Sequence, residues 1–230
     1  MVTQSDMSKE AALQTLPRWL GRSLSVAQVK KIEQVIFQAE AATSGEIVVV
    51  LTARTFPLRS LEILFGFICA FLGVVLVEPY LGDWLSYGDL ALLALAVVAV
   101  WVGGNYLARV SWMRRILLND RDSGNLAHQR AELEFHRAGI GRTENKTGIL
   151  LFLALQDREA VVLADKGISS KIQPEAWSEV ISLMLSGIKN NDLASGLSSA
   201  VSRCGEILAT HFPINSGDRN ELSNHLIIKD

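Results

Sequence analysis

Residues 61–108 form an almost uncharged block, and no other part of the sequence limits the fold so strongly. Its 48 positions carry only four charged side chains, which are all acidic: Glu62, Glu78, Asp83 and Asp89. Two stretches of the block, 61–81 and 90–108, have the length of helices that cross a bilayer. The alternative is a pair of buried core helices, but such helices usually keep a polar edge. We therefore predict a transmembrane hairpin over residues 60–108.

The arginines at the ends of this block predict its orientation. Arg54 and Arg59 precede the first span, whereas Arg109, Arg114 and Arg115 follow the second, and the connecting loop has neither Lys nor Arg. Because cytoplasmic flanks are enriched in basic residues, both polar arms are expected in the cytoplasm of a bacterial cell, with the hairpin in the inner membrane. The polar, mixed segment 1–23 does not have the pattern of a cleaved secretory signal.

Charge and cysteine content narrow the classes of partner. The chain has 22 Lys and Arg against 24 Asp and Glu, a formal net charge of -2. This balance argues against a nucleic-acid partner, because such binding depends on positive charge. Cys69 and Cys204 are far apart, so they give neither a disulfide framework nor a zinc spacing, and they suit a reducing compartment.

The polar arms on the two sides of the hairpin predict one split domain. Ser25 and Gln28 form a capping box before an amphipathic helix, and the β-branched run 46–53 reads as a buried strand. After the hairpin, the pattern predicts two strands joined by a tight turn and three helices: helix 125–137, strands 148–155 and 160–165, and helices 174–189 and 192–211.

This order of elements predicts an α/β fold, a mixed sheet layered with helices and interrupted by a two-helix transmembrane hairpin. The expected organisation is an N-terminal segment 1–23, a domain made of 24–58 and 110–212, and an irregular tail 213–230.

The order of motifs resembles the TPM domain, also called the TPM phosphatase domain, over about residues 24–56 and 112–225. A helix that ends in a Thr-Gly-type turn is followed by a buried strand, a second strand, a D-R-type turn and a glycine-containing exit. The matching positions are Ser44-Gly45, Ile47 to Val50, Gly148 to Leu151, Asp157-Arg158 and Gly167. The segments ADKGI (164–168), HFP (211–213) and NEL (220–222), together with Trp177, are similar to the membrane-associated bacterial branch of that family.

The resemblance implies helices around a mixed sheet and a hairpin membrane anchor. Some relatives are credited with acid phosphatase activity, some with calcium binding, and some with assembly or repair of membrane complexes. The bacterial branch is often associated with LemA-type membrane proteins. This sequence has D-K-G-I at 165–168, where the more typical pattern after the third strand is G-x-G-x-E.

A divalent cation such as calcium is the cofactor class for which the sequence offers ligands. Asp165 ends the third predicted strand, a place where ligands commonly lie in α/β sheets, and Glu144 and Asn145 precede the second strand. Capping of a helix or turn is the alternative role for Asp165. The sequence has no Cys-x5-Arg loop and no Walker-type glycine loop, so the nature of any catalytic residues stays open.

Three other polar groups have both a chemical and a structural interpretation. His128, Glu132 and His136 follow one helical stripe, which suits either a zinc-type site or an exposed helix face. The segment 156–159 suits either a charged cluster or the turn of a β-hairpin. Glu46 begins a buried strand, where its carboxylate must be exposed at the edge or paired.

The N-terminal segment contains apolar residues interleaved with arginines. Leu13, Leu16, Trp19 and Leu20 alternate with basic positions in a way that suits anionic lipid. Packing of these side chains on the domain is the favoured alternative.

From these observations we expect an integral membrane protein with a cytoplasmic TPM-like domain that serves as an interaction or assembly module for membrane proteins. Its partners would be the lipid bilayer and membrane proteins, including those of LemA type. The alternative is a membrane-tethered, metal-dependent phosphatase.

Overall fold

The structure is a computed structural model that describes residues 16–21, 23–55, 71, 98–99, 102, 120–214 and 220–229. The chain forms two compact units, one of residues 1–55 with 124–230 and the other of residues 56–123. Apart from Phe71, Val98, Ala99 and Val102, the predicted hairpin lies outside the described residues. Within the part that is described, no helix has the length and apolar character needed to cross a membrane.

The described elements alternate between helices and strands. In chain order they are α1 (Val26–Glu40), β1 (Glu46–Thr52), α2 (Asp120–Arg137), β2 (Gly148–Ala154), β3 (Glu159–Ala164), α3 (Lys166–Ser169), α4 (Ser178–Lys189), α5 (Leu193–His211) and β4 (Ile227–Lys229). Short 3-10 turns at Ile140–Arg142 and Pro174–Trp177 precede β2 and α4.

The predicted capping box starts α1. The amide of Gln28 donates to Ser25 Oγ at 3.3 Å, and the amide of Ser25 donates to Gln28 Oε1 at 2.8 Å. Both amides would otherwise lack a partner in the first helical turn. Val29, Ile32 and Ile36 then bury one face of the helix.

The four strands form a mixed sheet in the order β3-β2-β1-β4. β1 and β2 are parallel and pair over seven positions, from Glu46 opposite Gly148 to Thr52 opposite Ala154. β3 is antiparallel to β2, which confirms the predicted hairpin, and β4 is parallel to β1. The fold is therefore a mixed α/β sheet with helices, as the sequence predicts.

Both central strands are buried on both faces. Alternate residues such as Val49 and Leu151 point to the larger core, whereas Val48 and Phe152 point to a smaller one. This arrangement explains why β1 and β2 are continuous apolar runs instead of alternating ones. The larger core also contains side chains of α1, α4 and α5.

Helices α4 and α5 approach each other at glycines. A Cβ atom added to Gly196 would lie 2.5 Å from the Cα of Gly187, and one added to Gly187 would lie 2.9 Å from the Cα of Gly196. Since neither distance leaves room for a methyl group, the crossing requires glycine at both positions.

The structure corrects several details of the sequence-based expectation. Helix α2 begins at Asp120, five residues before the predicted start, and the one-turn helix α3 was not expected. The tail predicted to be irregular contains β4, whose pairing with β1 is set by a distant segment and not by any local pattern. In the N-terminal segment Leu20 is fully buried, and Leu16 and Trp19 pack against the same core, which confirms packing on the domain for these three residues; Leu13 lies outside the described residues.

Candidate functional site

Asp165 lies at the junction of β3 and α3, where it acts as an N-cap. Its Oδ1 atom accepts a hydrogen bond from the amide of Lys166 at 2.7 Å. The other carboxylate oxygen, Oδ2, is buried and has no hydrogen-bond partner. The capping alternative is therefore correct for one oxygen and leaves the second unexplained, because a buried carboxylate oxygen without a partner is costly.

Asn145 is brought close to this junction by the main chain. The amide of Gly167 donates to the carbonyl oxygen of Lys146 at 3.0 Å. A Cβ atom on Gly167 would lie 2.6 Å from the carbonyl oxygen of Asn145, so only glycine allows the loop to approach so closely. The backbone of Asn145 thus lies close to Gly167, two residues after Asp165.

Glu144 has a different role. Its side chain is exposed, and its amide donates to the carboxylate of Glu221 at 3.0 Å. Asp165, Asn145 and Glu144 therefore lie at one end of the sheet. In the described ranges, no three His, Cys, Asp or Glu residues are arranged to hold a metal ion.

The end of the sheet on which these residues lie differs from the expected one. Asp165 follows the carboxyl end of β3, but β3 is antiparallel to β2, and the amide of Asp165 donates to the carbonyl of Gly148 at 2.9 Å. The group therefore lies at the amino ends of β1 and β2, opposite the edge where α/β sheets commonly bind ligands.

A hard cation is the ion that suits the unpartnered oxygen of Asp165. Such ions take carboxylate and main-chain carbonyl oxygens as ligands. Asp165 would supply one carboxylate ligand to such an ion. Within the described residues it is not joined by a group of His, Cys, Asp or Glu side chains that could complete a metal site.

The stripe on α2 is an exposed helix face. His128 Nε2 lies 3.6 Å from Glu132 Oε1, and both side chains are more than half exposed. The ring of His136 packs edge-on against Phe135. These contacts favour the exposed-face interpretation over a zinc-type site.

The turn between β2 and β3 forms hydrogen bonds with the residues that follow β1. Asp157 Oδ2 accepts from the amide of Thr55 at 2.7 Å and from its hydroxyl at 2.8 Å. Arg54 Nε donates to Gln156 Oε1 at 2.8 Å beside this pair. The segment is a hairpin turn, as one interpretation predicted, and it also fixes the last residues of the split domain's first arm.

Glu46 is buried and paired. Its carboxylate accepts hydrogen bonds from the amides of Glu221 at 3.0 Å and Leu222 at 3.3 Å. The partners of this strand-initial carboxylate are therefore main-chain groups of the tail, 175 residues away along the chain.

Glu40 was not identified from the sequence. Its Oε1 atom accepts from the amide of Ile47 at 2.7 Å, and its Oε2 atom contacts the side-chain amide of Asn224. The pKa of Glu40 is raised to about 8, mainly by burial and to a smaller degree by the carboxylate of Glu46, and the hydrogen bonds from Ile47 and Asn224 oppose this rise.

Glu33 is a third carboxylate that contacts the tail. It accepts from the amide of Leu226 at 3.2 Å and lies 3.2 Å from His225 Nδ1. Glu33 and Glu40 are seven residues apart on α1, a spacing that places both on one helix face and was the available signal. We refer to Glu33, Glu40 and Glu46, with the tail residues 220–229 that they bind, as the tail clasp.

Cys204 is a buried free thiol next to this region. Burial, and to a lesser degree the carboxyl of Glu40, raises its pKa. A buried thiol with a raised pKa is unreactive, and Cys204 instead packs as part of α5 in the larger core.

Comparison with known proteins gives a match to a family model over part of the chain and a similar fold. Residues 111–207 match the model of the TPM domain. No curated protein matches the chain. The fold is similar to the NMR structure of the BA42 protein from the psychrophilic bacterium Bizionia argentinensis, with 20% sequence identity and a TM-score of 0.56. That match covers 90% of this chain and 95% of the BA42 chain. The chain therefore carries a TPM domain match over residues 111–207, within a fold that BA42 shares.

Proposed function

We propose that the chain is an integral protein of the bacterial inner membrane, of the membrane-associated TPM branch, whose cytoplasmic domain is an interaction or assembly module for other membrane proteins. Partners of LemA type are the class that the family resemblance suggests. The hairpin 60–108 would be the anchor, with residues 61–81 and 90–108 as its two spans.

One structural observation carries the anchoring part of this proposal. Phe71, Val98 and Val102 are helical and have exposed fractions of 69%, 58% and 54%. All three lie in the predicted spans, and exposed large apolar side chains favour contact with lipid or another apolar surface.

The domain is suited to working next to such an anchor. β1 leads directly to Thr55, whose amide and hydroxyl are both bound by Asp157. The last described residue before the insert is thus fixed to the sheet. A domain connected in this way stays near the bilayer and meets partners that are themselves in the membrane.

Extraction of membranes tests the anchor. The full chain should remain in the pellet after treatment with alkaline carbonate. The double variant Val98→Arg, Val102→Arg should lower the pelleted fraction, because each Arg at mid-span costs roughly 2.5–3.5 kcal/mol of insertion. Leu133→Arg is the matched control, since Leu133 is also exposed but lies on α2. Extraction of the unmodified chain by carbonate would refute the anchor.

The interaction role has a separate test. Cross-linking in intact membranes, followed by purification of the chain, should recover a specific membrane protein. A variant that keeps the anchor but lacks the folded domain should not recover it. Recovery of the same proteins by both would show that the domain is not the interacting part.

The phosphatase alternative has one observation in its favour, the unpartnered Oδ2 atom of Asp165. If this atom binds Mg²⁺, Mn²⁺ or Ca²⁺, the melting temperature of the chain should rise with the ion, because a ligand of the native state stabilises it. The shift and any turnover of a general phosphoester should disappear in Asp165→Ala. A melting shift without turnover would leave a binding site and exclude the enzyme for that substrate.

A further inference from the structure

The tail residues 220–229 occupy one edge of the sheet through few strand pairs. β4 pairs with β1 at three positions, from Val50 opposite Ile227 to Thr52 opposite Lys229. On its other side, β1 pairs with β2 at seven positions. Because most tail residues before Leu226 are exposed or half-buried, the tail can detach at a lower cost than the other strands.

Carboxylates of the tail clasp hold the part of the tail that precedes β4. Glu46 accepts hydrogen bonds from the amides of Glu221 and Leu222, and Glu33 accepts one from the amide of Leu226. Hydrogen bonds to a charged acceptor are stronger than those to a neutral one. A change of charge within the clasp therefore acts directly on the attachment of the tail.

Glu40 links the start of β1 to the tail. Its Oε1 atom accepts from the amide of Ile47 at 2.7 Å, and its Oε2 atom contacts the side-chain amide of Asn224. The carboxylate of Glu46 is near enough to disfavour a second negative charge on Glu40. Release of the tail would remove Asn224 and admit water, so the released state holds the ionised form of Glu40 at a lower cost.

The proton on Glu40 therefore favours the docked tail. Burial, and to a smaller degree the Glu46 carboxylate, raises the pKa of Glu40 to about 8, against the opposing hydrogen bonds from Ile47 and Asn224. With the tail released, this pKa should move back toward the ordinary value of 4.5. A group whose pKa is higher in the docked state stabilises docking at low pH, and this contribution is lost as the pH rises to about 8.

We propose that the tail clasp is a pH switch: the tail stays docked on β1 while Glu40 carries a proton beside Glu46, and loss of that proton favours release of the tail. Release leaves the edge of β1 without its neighbouring strand, so the switch controls whether that edge is covered. This inference concerns the folded domain alone and does not rest on the membrane anchor.

A second ionisable pair lies close to the tail and must be separated from Glu40. The titratable groups around Glu40 are Glu46 on β1, Cys204 on α5, Glu33 on α1, and Glu221 and His225 on the tail. His225 Nδ1 lies 3.2 Å from Glu33 Oε1, and an imidazole can also change its charge near neutral pH. The variants below distinguish the two pairs.

Hydrogen exchange of the full chain measures release of the tail at each pH. Protection factors remove the intrinsic effect of pH on exchange, and those of the Leu222 and Leu226 amides should fall by about tenfold per pH unit between pH 6 and 8. At every pH the amides of residues 149–153 in β2 should remain better protected, because the tail detaches from a folded sheet. Constant tail protection, or equal protection of tail and β2, would overturn the proposal.

Two variants locate the effect. Glu40→Gln removes the proton step, so its tail protection should be close to independent of pH. Glu33→Gln is the matched control, since Glu33 lies on the same helix and also binds the tail: it should lower tail protection at every pH but keep the slope. The reverse pattern, a slope lost in Glu33→Gln and kept in Glu40→Gln, would assign the effect to His225 and overturn the proposal.

Titration of Glu40 provides a second measurement that needs no substitution. The carboxyl carbon signal of Glu40 should titrate at the pH where tail protection levels off, because one proton controls both. Deletion of residues 220–229 should lower this midpoint by about one pH unit or more, since the carboxyl then gains water. Midpoints that do not coincide in the unmodified chain, or a midpoint unchanged by the deletion, would overturn the proposal.

Discussion

Glu40 keeps its proton in the folded chain at a pH where an exposed glutamate has lost it. The cause is burial next to a second carboxylate, Glu46, and the pKa is raised from 4.5 to about 8. For an acid with a raised native pKa, the contribution to stability is complete below the unfolded value. It is lost progressively as the pH rises from 4.5 to about 8.

The variant Glu40→Gln should reveal this loss. Its free energy of unfolding should exceed that of the unmodified chain by an amount that grows from about pH 5 and levels off above pH 8. Since each pKa unit corresponds to about 1.4 kcal/mol, the rise from 4.5 to about 8 corresponds to a difference on the order of 4–5 kcal/mol at pH 8. Urea unfolding across this pH range measures it, with Glu175→Gln as a control of constant stability. A difference independent of pH would contradict the assignment.

Individual polar residues were predicted with uneven success. Asp165 and Asn145 could be placed together because both flank neighbouring strands of a predicted hairpin. The tail partners of Glu40 and Glu46 could not be predicted, since they lie 175–184 residues away along the chain. Local patterns do not report contacts of that separation.

At the level of elements, the crossing of α4 and α5 depends on two glycines. Gly196→Ala should destabilise the domain by about 1–3 kcal/mol, because its methyl group would meet the backbone of Gly187 and force the helices apart. Thermal unfolding of the full chain provides the measurement.

A second glycine serves as the matched control for this change. Gly124 lies in α2, and a Cβ atom there would meet no other atom within 4 Å. Gly124→Ala should therefore be neutral or stabilise the helix by up to about 1 kcal/mol. Equal losses from both variants would show that the cost at Gly196 does not come from helix packing.

The turn between β2 and β3 is expected to hold the end of β1. Asp157→Ala removes the acceptor of two hydrogen bonds from the buried Thr55. The loss should be roughly 1–3 kcal/mol, with faster hydrogen exchange of the Thr55 amide. Gln156→Ala, which removes only an exposed contact to Arg54, should cost less than about 0.5 kcal/mol. Unchanged exchange in Asp157→Ala would contradict this role.

Elements with a strong pattern of their own were predicted, and those defined by distant partners were not. The apolar runs of β1 and β2 and the capping box of α1 carry their structure in the local sequence. β4 has three residues and exists because β1 offers an edge. Helix α3 was missed for a different reason: it is a single turn of four residues, too short to show a helical period.

On the scale of the whole molecule, one domain is assembled from segments on both sides of a long insert. Residues 1–55 and 124–230 form a single compact unit. We expect a chain in which residues 57–119 are replaced by a flexible Gly/Ser linker of about 15 residues to keep this unit folded. A linker of this length has an expected reach of roughly 20 Å.

Cooperative thermal unfolding and the amide spectrum of the sheet would check this outcome. The same linker placed within β2 should prevent folding and serves as a control for the method. Loss of cooperative unfolding in the first variant would mean that the insert is needed for the domain. The fold class of this unit was predictable from the sequence, because its order of helices and strands is regular, whereas the path of the tail was not.

The parallel pairing of β1 with β2 also orders events during synthesis. Val50 pairs with Phe152 in the register, so it cannot form this pair until Phe152 is synthesised about 100 positions later. At typical synthesis rates of 5–20 residues per second, β1 therefore remains unpaired with β2 for several seconds after it is made. During this interval, a seven-residue stretch with high tendency to aggregate is exposed beside the ribosome. A chaperone that shields this stretch should therefore raise the yield of correctly folded protein. Placing slowly translated codons away from this stretch should have the same effect.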